Sequence, residues 1–159
     1  MSQPAVRVAT LADVPALVKL INAAYRVEEF FISGDRTTPG DIRARLETPG
    51  AMFLVIDGAA GELAAAILVE IRVERGYFGM LSVDPARQKE GLGRRLVEDA
   101  EARCRAAGCR VMDLVVVSLR SELPPYYERL GYRTSGTEPF HSPEKLKLPA
   151  HLVLMTKPL

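Results

Sequence analysis

A glycine-containing turn between a predicted strand and a predicted helix carries the clearest chemical signal in this sequence. The strand ends at Val83, Asp84-Pro85 prevents it from continuing, and Gly91 and Gly93 open an amphipathic helix. The first turn of a helix leaves backbone N–H groups without partners and carries a partial positive charge, so it attracts phosphate groups. Glycine lets the main chain approach a ligand because it has no Cβ. The turn therefore predicts an anion site, and a pyrophosphate is the ligand we favour.

Formal charge around the turn supports an anion site, but two common pyrophosphate motifs do not fit. A P-loop needs Gly-x-x-x-x-Gly-Lys-Ser/Thr, which the sequence lacks. A Rossmann fingerprint needs a third glycine where Leu96 stands, and it needs its glycines directly after the strand, whereas seven residues lie between Val83 and Gly91. A lone Gly-x-Gly is also compatible with a simple tight turn. The basic residues around the turn are Arg87, Lys89, Arg94 and Arg95.

Two segments, in this order, resemble the GNAT superfamily of N-acetyltransferases. Gln88-x-x-Gly91-x-Gly93 matches the acetyl-CoA-binding motif of that family, Gln/Arg-x-x-Gly-x-Gly/Ala. The stretch from Tyr126 to Tyr132 is similar to the family's later Phe/Leu-Tyr-x-x-x-Gly-Phe segment. One helix and one β-branched strand separate the two segments, as in the family. The resemblance extends in element order over roughly residues 6–156, and it implies an acetyl-CoA-dependent N-acetyltransferase.

The resemblance also implies how the cofactor, acetyl-CoA, is held. Backbone N–H groups of the turn should bind the pyrophosphate, and main-chain groups of the preceding strand should pair with the pantetheine arm where two central strands diverge. Basic side chains at the turn could reach the 3′-phosphate, or they could be solvated surface charges. No metal is expected. The predicted cofactor-binding residues are Leu81, Val83, Arg87, Gln88, Lys89, Glu90, Gly91, Leu92, Gly93 and Arg94.

Transfer of an acetyl group to an amine needs a neutral amine, polarisation of the thioester carbonyl and a proton for the departing thiolate. A backbone N–H of Leu81 or Val83 is our candidate for polarising the carbonyl. A tyrosine, with a reference pKa of ~10, can protonate a thiolate whose conjugate acid has a pKa of ~8.5. Tyr127 stands at the family's tyrosine position, so it is the predicted general acid, whereas Tyr126 is expected to pack. The alternative for Tyr127 is a packed aromatic ring.

The general base is less well defined by the sequence. Glu28 and Glu29 lie where the family builds its acceptor site, and they are the predicted residues for proton removal or amine recognition. A chain of waters without a dedicated base is the alternative. Glu70 and Glu74 share a strand face with Arg72, a pattern typical of a solvated stripe of charge.

Three further residues near these motifs have open roles. Arg36 could bind an acidic group on the acceptor or be a plain turn residue, and His141 is expected to be a surface loop histidine. The family often has an asparagine seven residues before its tyrosine, where this sequence has Arg120. Pro124 and Pro125 also fall within the segment, so the helix that carries Tyr127 should begin close to them.

The elements that must position these groups can be read from periodicity. Apolar residues at helical spacing predict helices over about 12–25, 41–47, 91–107 and 123–130. Alternating or β-branched runs predict strands at 6–8, 52–56, 63–73, 77–83, 111–117, 132–134 and 151–156, with a turn near Arg75-Gly76 and a loop over 135–149. The expected fold is α/β (α+β): a GNAT-like mixed, mainly antiparallel sheet of six to seven strands flanked by about four helices.

Composition sets the remaining expectations. The chain has 159 residues, 48% of them hydrophobic, and 21 Lys+Arg balance 20 Asp+Glu, for a net charge of +1. This is typical of a single soluble domain over 1–159, without a nucleic-acid partner. No run of about 18 apolar residues or signal peptide is seen, so we expect no membrane partner and a cytoplasmic location. Cys104 and Cys109 lack a matching pair, which argues against a disulfide scaffold or zinc site.

The interpretation from sequence is therefore an enzyme that transfers the acetyl group of acetyl-CoA to a primary amine of a small molecule or peptide. The oligomeric state is left open by the sequence, and a homodimer that pairs through the C-terminal strands would suit the scaffold. The predicted catalytic residues are Tyr127, Glu28 and Glu29. A non-catalytic acyl-CoA-binding or interaction module on the same scaffold is the competing hypothesis. A protein that binds ATP or NAD is a further alternative.

Overall fold

A computed structural model describes residues 5–159 of the chain, and within this range it contains seven strands and four α-helices. The order β-α-α-β-β-β-α-β-α-β-β is the one predicted from the sequence. The elements are β1 Val6–Val8, α1 Val14–Ala24, α2 Pro39–Leu46, β2 Ala51–Asp57, β3 Leu63–Arg72, β4 Arg75–Val83, α3 Leu92–Ala106, β5 Val111–Val117, α4 Leu123–Arg129, β6 Arg133–Pro139 and β7 His151–Pro158.

The strands form one mixed sheet in the order β1-β2-β3-β4-β5-β7-β6. Neighbouring strands are antiparallel except β4 and β5, which run parallel. A parallel pair needs a crossover, and α3 supplies it. The predicted fold class, a mainly antiparallel sheet of six to seven strands with about four helices, is confirmed.

Each face of the sheet is covered by helices, so the strands carry two separate hydrophobic clusters. In β2, Leu54 and Ile56 join the cluster that contains α3, while Phe53 and Val55 join the cluster that contains α1 and α2. This alternation is the two-residue period of a strand. The helices contribute one apolar face each, which in α1 consists of Val14, Leu17, Leu20 and Ile21 and in α3 of Leu92, Leu96, Val97, Ala100 and Cys104.

The two central strands diverge at the middle of the sheet. In the described chain, β4 and β5 pair over Arg75–Tyr77 and Val111–Asp113, although each strand continues beyond this ladder. A β-bulge in β4 lies just past the divergence, because Gly79 pairs with Leu68 and Ser82 pairs with Ala66. Beyond this ladder, the backbone groups of β4 and β5 do not pair with each other. The candidate site lies in the opening between the two strands.

Met80 is the residue that forms the bulge. It has a φ of +51°, a left-handed conformation that is uncommon for a residue other than glycine. The hydroxyl of Ser82 donates a hydrogen bond of 2.9 Å to the Met80 carbonyl. Phe78 and Met80, which would share a face in a regular strand, pack into opposite clusters. The bulge therefore reverses the side-chain pattern of β4 immediately before Leu81 and Val83.

Most boundaries differ from the sequence prediction by one or two residues, and two differences change the assignment of a segment. The β3–β4 turn lies at Val73 and Glu74, so Gly76 is part of β4 rather than of the turn. Strand β6 continues to Pro139, where a loop was predicted from Ser135 onward. Pairing with β7 explains this extension, since β7 satisfies one edge of a polar strand whose other edge is exposed. Proline is tolerated at Pro139 because it lies at the end of an edge strand.

Candidate active site

The glycine turn folds as a short connection that presents the N-terminus of α3. Asp84 accepts a hydrogen bond of 2.9 Å from the Ala86 amide and so fixes the start of the 3₁₀ turn Pro85–Arg87. Lys89 and Gly91 have φ values of +69° and +77°, and Gly91 is the N-cap of α3. The N–H groups of the first helical turn have no acceptor within the helix, so they point out of its N-terminus.

Gly93 lies in the first turn of α3, against β4 and α4. A Cβ at this position would lie 3.5 Å from the Tyr126 hydroxyl, 3.6 Å from Val83 Cγ2 and 3.8 Å from Leu81 Cδ2. These are ordinary contact distances, so the glycine leaves an open space of about one methyl group beside three side chains. Backbone at the start of α3 is therefore accessible from the side of Leu81, Val83 and Tyr126.

A cavity of about 650 Å³, which we call the turn cavity, opens beside this glycine turn. Glu90 lies outside its wall, and the Glu90 carboxylate lies 3.0 Å from the guanidinium of Arg87. Arg94 also engages a carboxylate, that of Glu98, at 3.0 Å. Nine of the ten residues predicted for cofactor binding line the turn cavity: Leu81, Val83, Arg87, Gln88, Lys89, Gly91, Leu92, Gly93 and Arg94.

The turn cavity fits a ligand that carries a pyrophosphate. It combines the unpaired N–H groups of a helix N-terminus with the open space at Gly93 and with basic side chains. In the described part of the chain, no group of three or more His, Cys, Asp or Glu side chains is arranged to hold a metal ion. No helix between residues 5 and 159 is long and apolar enough to cross a membrane.

A second cavity of about 260 Å³, which we call the tyrosine cavity, lies against the diverging strands and is lined by Tyr25, Tyr77 and Tyr127 among other residues. Four residues line both cavities: Tyr25, Leu81, Leu123 and Tyr127. The two cavities therefore share a wall at one place, which we call the junction.

Tyr127 is held at this junction by the way α4 ends. The Tyr132 amide donates to the Tyr127 carbonyl at 3.0 Å, and the Gly131 amide donates to the Glu128 carbonyl at 3.0 Å. With Gly131 at a φ of +100°, this is a Schellman motif, and it accounts for the Tyr-x-x-x-Gly-Tyr spacing. Pro124 lies in the first turn of α4, as predicted, where a missing N–H is tolerated.

The Tyr127 side chain is buried among other aromatic rings. Its ring centroid lies 5.1 Å from that of Tyr126, 5.8 Å from that of Phe78 and 6.2 Å from that of Tyr132. Burial raises the pKa of the Tyr127 hydroxyl well above the usual range for tyrosine. The hydroxyl therefore keeps its proton at neutral pH and is available as a donor.

Of the two acidic residues predicted for the acceptor side, Glu28 lines the tyrosine cavity and Glu29 lies outside it. Glu28 is buried, with a side-chain exposure of 9%, and accepts a hydrogen bond of 2.9 Å from Arg120, whose side chain is 16% exposed. Burial raises the pKa of Glu28, and the Arg120 guanidinium opposes this shift. Glu29 is exposed, and its backbone carbonyl accepts a hydrogen bond from Lys147.

Arg120 takes a position that the sequence did not explain. It lines the turn cavity, whereas its partner Glu28 lines the tyrosine cavity. A second carboxylate, that of Glu122, lies 3.0 Å from the Arg120 Nε. The arginine thus bridges two acidic residues at the boundary between the two cavities.

The remaining candidates separate into two groups. Arg36 and His141 line the tyrosine cavity, and His141 stacks on Phe140 with ring centroids 4.7 Å apart. Glu70 lies outside both cavities and pairs with Arg72 at 2.7 Å, and Glu74 is exposed in the β3–β4 turn. The pair of Glu70 and Arg72 agrees with the predicted stripe of charge on β3, whereas the placement of Glu74 on the same strand face was wrong, because β3 ends at Arg72.

Sequence reasoning did not identify Tyr25 as a site residue. Tyr25 lies at the junction of the two cavities, and burial raises the pKa of its hydroxyl to about 12. The Arg36 guanidinium carbon lies 5.1 Å from the centroid of its ring. The only signal in the sequence is its place directly after the last apolar turn of α1. The bulge at Met80 has no sequence signal, since methionine is not a residue that favours a positive φ.

Comparison with known proteins gives concordant matches. A family model described as Acetyltransferase (GNAT) domain matches residues 23–142. Blasticidin-S acetyltransferase of Streptomyces morookaense is 33% identical over 87 residues, which are 54% of this chain and 62% of that protein. The match thus spans less than two thirds of that relative's length.

Solved structures match over nearly the whole chain. Ribosomal-protein-alanine N-acetyltransferase from Brucella melitensis superposes with a TM-score of 0.78, at 21% identity, over 98% of this chain and 99% of that one. A GNAT superfamily phosphinothricin acetyltransferase from Sinorhizobium meliloti, in complex with AcCoA, has a TM-score of 0.78, at 16% identity, over 99% and 89% of the two chains. At these identities the likeness concerns the fold.

Proposed function

Because the chain belongs to the GNAT acetyltransferase family, we propose that it moves the acetyl group of acetyl-CoA directly to a primary amine. The observation that carries the proposal is the meeting of the turn cavity and the tyrosine cavity at Tyr127. One cavity has the features of a pyrophosphate site, and the other is a separate space for an acceptor. Direct transfer requires both substrates to be bound at once, which this arrangement permits.

The coenzyme would be held mainly by the backbone. Leu92, Gly93 and Arg94 line the turn cavity in the first turn of α3, and their N–H groups would bind the pyrophosphate. The edge of β4 at Leu81 and Val83, which the divergence from β5 leaves without a parallel neighbour, would hold the extended pantetheine arm. Arg87, Lys89 and Arg94 would add positive charge at the entrance, and Glu90 would contribute by orienting Arg87.

Acetyl-CoA supplies the acetyl group: a C–N bond to the acceptor forms, the C–S bond breaks, and the sulfur leaves with the electron pair. Tyr127 donates its hydroxyl proton to that sulfur and later recovers a proton from solvent. Desolvation at the junction raises the pKa of a thiol as it raises that of Tyr127, so the proton transfer remains feasible there. A backbone N–H beside the Met80 bulge, that of Leu81 or Val83, would polarise the carbonyl.

The proton lost by the acceptor nitrogen needs a separate path. Glu28 is the acidic residue best placed for this role, since it lines the tyrosine cavity and its raised pKa makes the carboxylate a stronger base than an exposed glutamate. We therefore assign proton removal or amine binding to Glu28 in preference to Glu29. Water carries the proton onward to solvent.

Two measurements test the proposed function. Isothermal calorimetry should show that the protein binds acetyl-CoA, and release of free thiol in the presence of a broad amine panel should show turnover, with mass spectrometry identifying the acetylated product. Binding without thiol release for any amine would support the non-catalytic acyl-CoA-binding module instead. A melting temperature that shifts with ATP or NAD and not with CoA would contradict the coenzyme assignment.

The proposal also includes the expectations on organisation: one domain over residues 1–159, a cytoplasmic location and a homodimer. The dimer has a surface to form on, because β6 is an edge strand and six of its seven residues are exposed. An exposed edge can pair with a second copy. Sedimentation velocity at several concentrations measures the assembly state.

A further inference from the structure

Arg36 and Lys145 line the tyrosine cavity without a carboxylate partner. Within residues 5–159, neither side chain takes part in an ion pair, and neither lines the turn cavity. Three basic residues of the turn cavity are engaged, since Arg87 pairs with Glu90, Arg94 with Glu98 and Arg120 with both Glu28 and Glu122, whereas Lys89 and Arg129 face that cavity without an ion pair in the same range. Two unneutralised cations therefore face the space assigned to the acceptor.

Backbone hydrogen bonds join the two segments that carry these cations. The Ser33 amide donates to the Lys145 carbonyl at 2.9 Å, and Ile32 forms a β-bridge with Leu146. The far end of the loop is fixed by Asn22, which exchanges hydrogen bonds of 2.9 and 3.1 Å with the backbone of Thr37. The loop that carries Arg36 is thus tied at one end to the segment that carries Lys145.

The Arg36 guanidinium is also oriented by Tyr25. Its central carbon lies 5.1 Å from the Tyr25 ring centroid, a distance typical of a cation–π contact. Such a contact occupies one face of the guanidinium and leaves its N–H groups directed outward in a plane. A planar set of N–H donors matches the two oxygens of a carboxylate or phosphate.

The acidic residues of the same cavity do not cancel these charges. Asp35 is exposed at the opening and contributes one negative charge next to Arg36. Glu28 is already paired with Arg120, which lines the turn cavity, so the charge of this carboxylate is balanced. The tyrosine cavity therefore has a net positive region at Arg36 and Lys145 and a paired carboxylate near the junction.

We propose that the acceptor is a small molecule that carries a carboxylate or phosphate on the same skeleton as its amine, with the anionic group bound by Arg36 and Lys145 and the amine directed toward Tyr127. This inference rests on the proposed function and names its substrate class. The cavity of about 260 Å³ is smaller than the ~300–1,000 Å³ typical of drug-sized ligands, so it suits a molecule of about one or two amino acids.

Matched pairs of acceptors test the inference. Free alanine, methionine, glutamate and phenylalanine would each be compared with their C-terminal amides, and O-phosphoethanolamine with ethanolamine, at saturating acetyl-CoA and constant ionic strength. Because the amides have a lower amine pKa, rates are compared at a pH above both pKa values. We expect kcat/KM to be at least about tenfold higher for the anionic member of the accepted pair. The amino acid and phosphate pairs distinguish a carboxylate from a phosphate.

Substitution of each cation tests whether Arg36 and Lys145 cause the preference for anionic acceptors. Arg36→Gln and Lys145→Gln should each reduce the anionic-to-neutral ratio of kcat/KM at least threefold, mainly through KM, while the dissociation constant of acetyl-CoA stays unchanged. Arg26→Gln, which removes an exposed arginine that lines neither cavity, is the matched control and should leave the ratio unchanged. Melting temperatures of all three variants confirm that they fold.

The possible results separate the inference from the proposed function. If acetyl-CoA does not bind, the proposed function itself is wrong. If acetyl-CoA binds but no anionic acceptor is acetylated, or neutral amines or peptide N-termini are acetylated as well as the anionic compounds, the inference is overturned and the coenzyme site remains. An anionic preference that survives in both Arg36→Gln and Lys145→Gln also overturns it, since the anion would then be bound elsewhere.

Discussion

Arg120 and Glu28 form a 2.9 Å ion pair between residues that are 92 positions apart in the sequence, and the pair joins the walls of two cavities. Arg120 faces the space for the coenzyme, and Glu28 faces the space for the acceptor. The Glu28 carboxylate depends on this arginine for its charge balance because it is buried. The consequences of removing either member should therefore be visible in both stability and activity.

Replacing Arg120 by methionine should destabilise the fold by about 2 kcal/mol at pH 7, below the 3–5 kcal/mol of fully buried pairs because the side chain is partly exposed. The pKa of Glu28 is already raised by burial, and loss of Arg120 should raise it further. A group whose folded pKa is raised binds its proton more tightly in the native state, so native stability falls as pH rises through that pKa. The loss should thus shrink when the pH is lowered from 7 to 4.5, the ordinary pKa of a glutamate, because the raised pKa lets Glu28 take up a proton in the folded variant over this range.

Urea unfolding of Arg120→Met and of the wild type at the two pH values measures this difference. Lys19→Met is the matched control, since it removes a cation from an exposed pair with Glu62 and should change stability by less than about 0.5 kcal/mol. A loss that does not depend on pH would show that packing of the Arg120 side chain, rather than its charge, is what matters.

Replacing Tyr127 by phenylalanine should lower kcat by about 10²-fold or more, because it removes the proposed proton donor and leaves the ring in place. The dissociation constant of acetyl-CoA, measured by calorimetry, should stay within about threefold of the wild-type value. Tyr126→Phe is the control, since its ring packs against Tyr127 at 5.1 Å but is expected only to pack. Wild-type turnover in Tyr127→Phe would exclude this tyrosine as the general acid and direct attention to Tyr25.

Replacing Gly93 by alanine should weaken the binding of acetyl-CoA without lowering the stability of the fold. The new methyl group would lie 3.5 Å or more from its neighbours, so the fold accommodates it, and alanine is favoured over glycine in a helix by up to about 1 kcal/mol. The same methyl group would fill the space through which the start of α3 is approached. We expect an unchanged or higher melting temperature and an acetyl-CoA affinity at least about tenfold weaker.

Gly91→Ala should lower the stability of the fold, in contrast to Gly93→Ala. Gly91 has a φ of +77°, where alanine costs about 1–2 kcal/mol, although a Cβ there would contact nothing within 4 Å. Its melting temperature should fall. Acetyl-CoA affinity that is unchanged in Gly93→Ala would be incompatible with the proposed path of the coenzyme past α3.

The rate of turnover should rise with pH over the accessible range and should not fall. Burial raises the pKa of Tyr127, and a raised pKa means that the hydroxyl is protonated at every pH below that value. The rate should therefore follow the deprotonation of the acceptor amine, whose pKa is ~8–10 in common amines. A kcat/KM profile from pH 6 to 9.5 measures this. A descending limb below pH 9 that disappears in Tyr127→Phe would show that the pKa of Tyr127 is not raised, and one that persists in Tyr127→Phe would show that another group donates the proton.

Local sequence determined the order of the elements and the position of the glycine turn. The apolar spacing in α3, its end at Gly108 and the β-branched run of β5 were sufficient because each pattern is strong within one segment. The extent of β6 was not predictable from its own residues. Its polar sequence becomes a strand because β7 supplies hydrogen-bond partners along one edge.

Site residues were predicted where one local element produces the motif. They were missed where the contact joins residues that are far apart in the sequence. The spacing from Tyr127 to Tyr132 reflects one helix end, so a sequence pattern identifies it. The contact of Arg120 with Glu28 depends on how the segment between β5 and α4 packs against the turn that follows α1, and no local pattern encodes this. The Met80 bulge likewise follows from the register between β3 and β4.

The common wall at Tyr25, Leu81, Leu123 and Tyr127 has a consequence for inhibitor design. A single compound in which an anionic amine is joined to CoA through a stable linker would occupy both cavities at once. Its two halves would bind as an intramolecular pair, so its affinity could exceed that of either half by about 10²–10⁴ if the linker spans the junction without strain. The linker length that gives the highest affinity would then measure the distance between the coenzyme sulfur and the acceptor nitrogen in the enzyme.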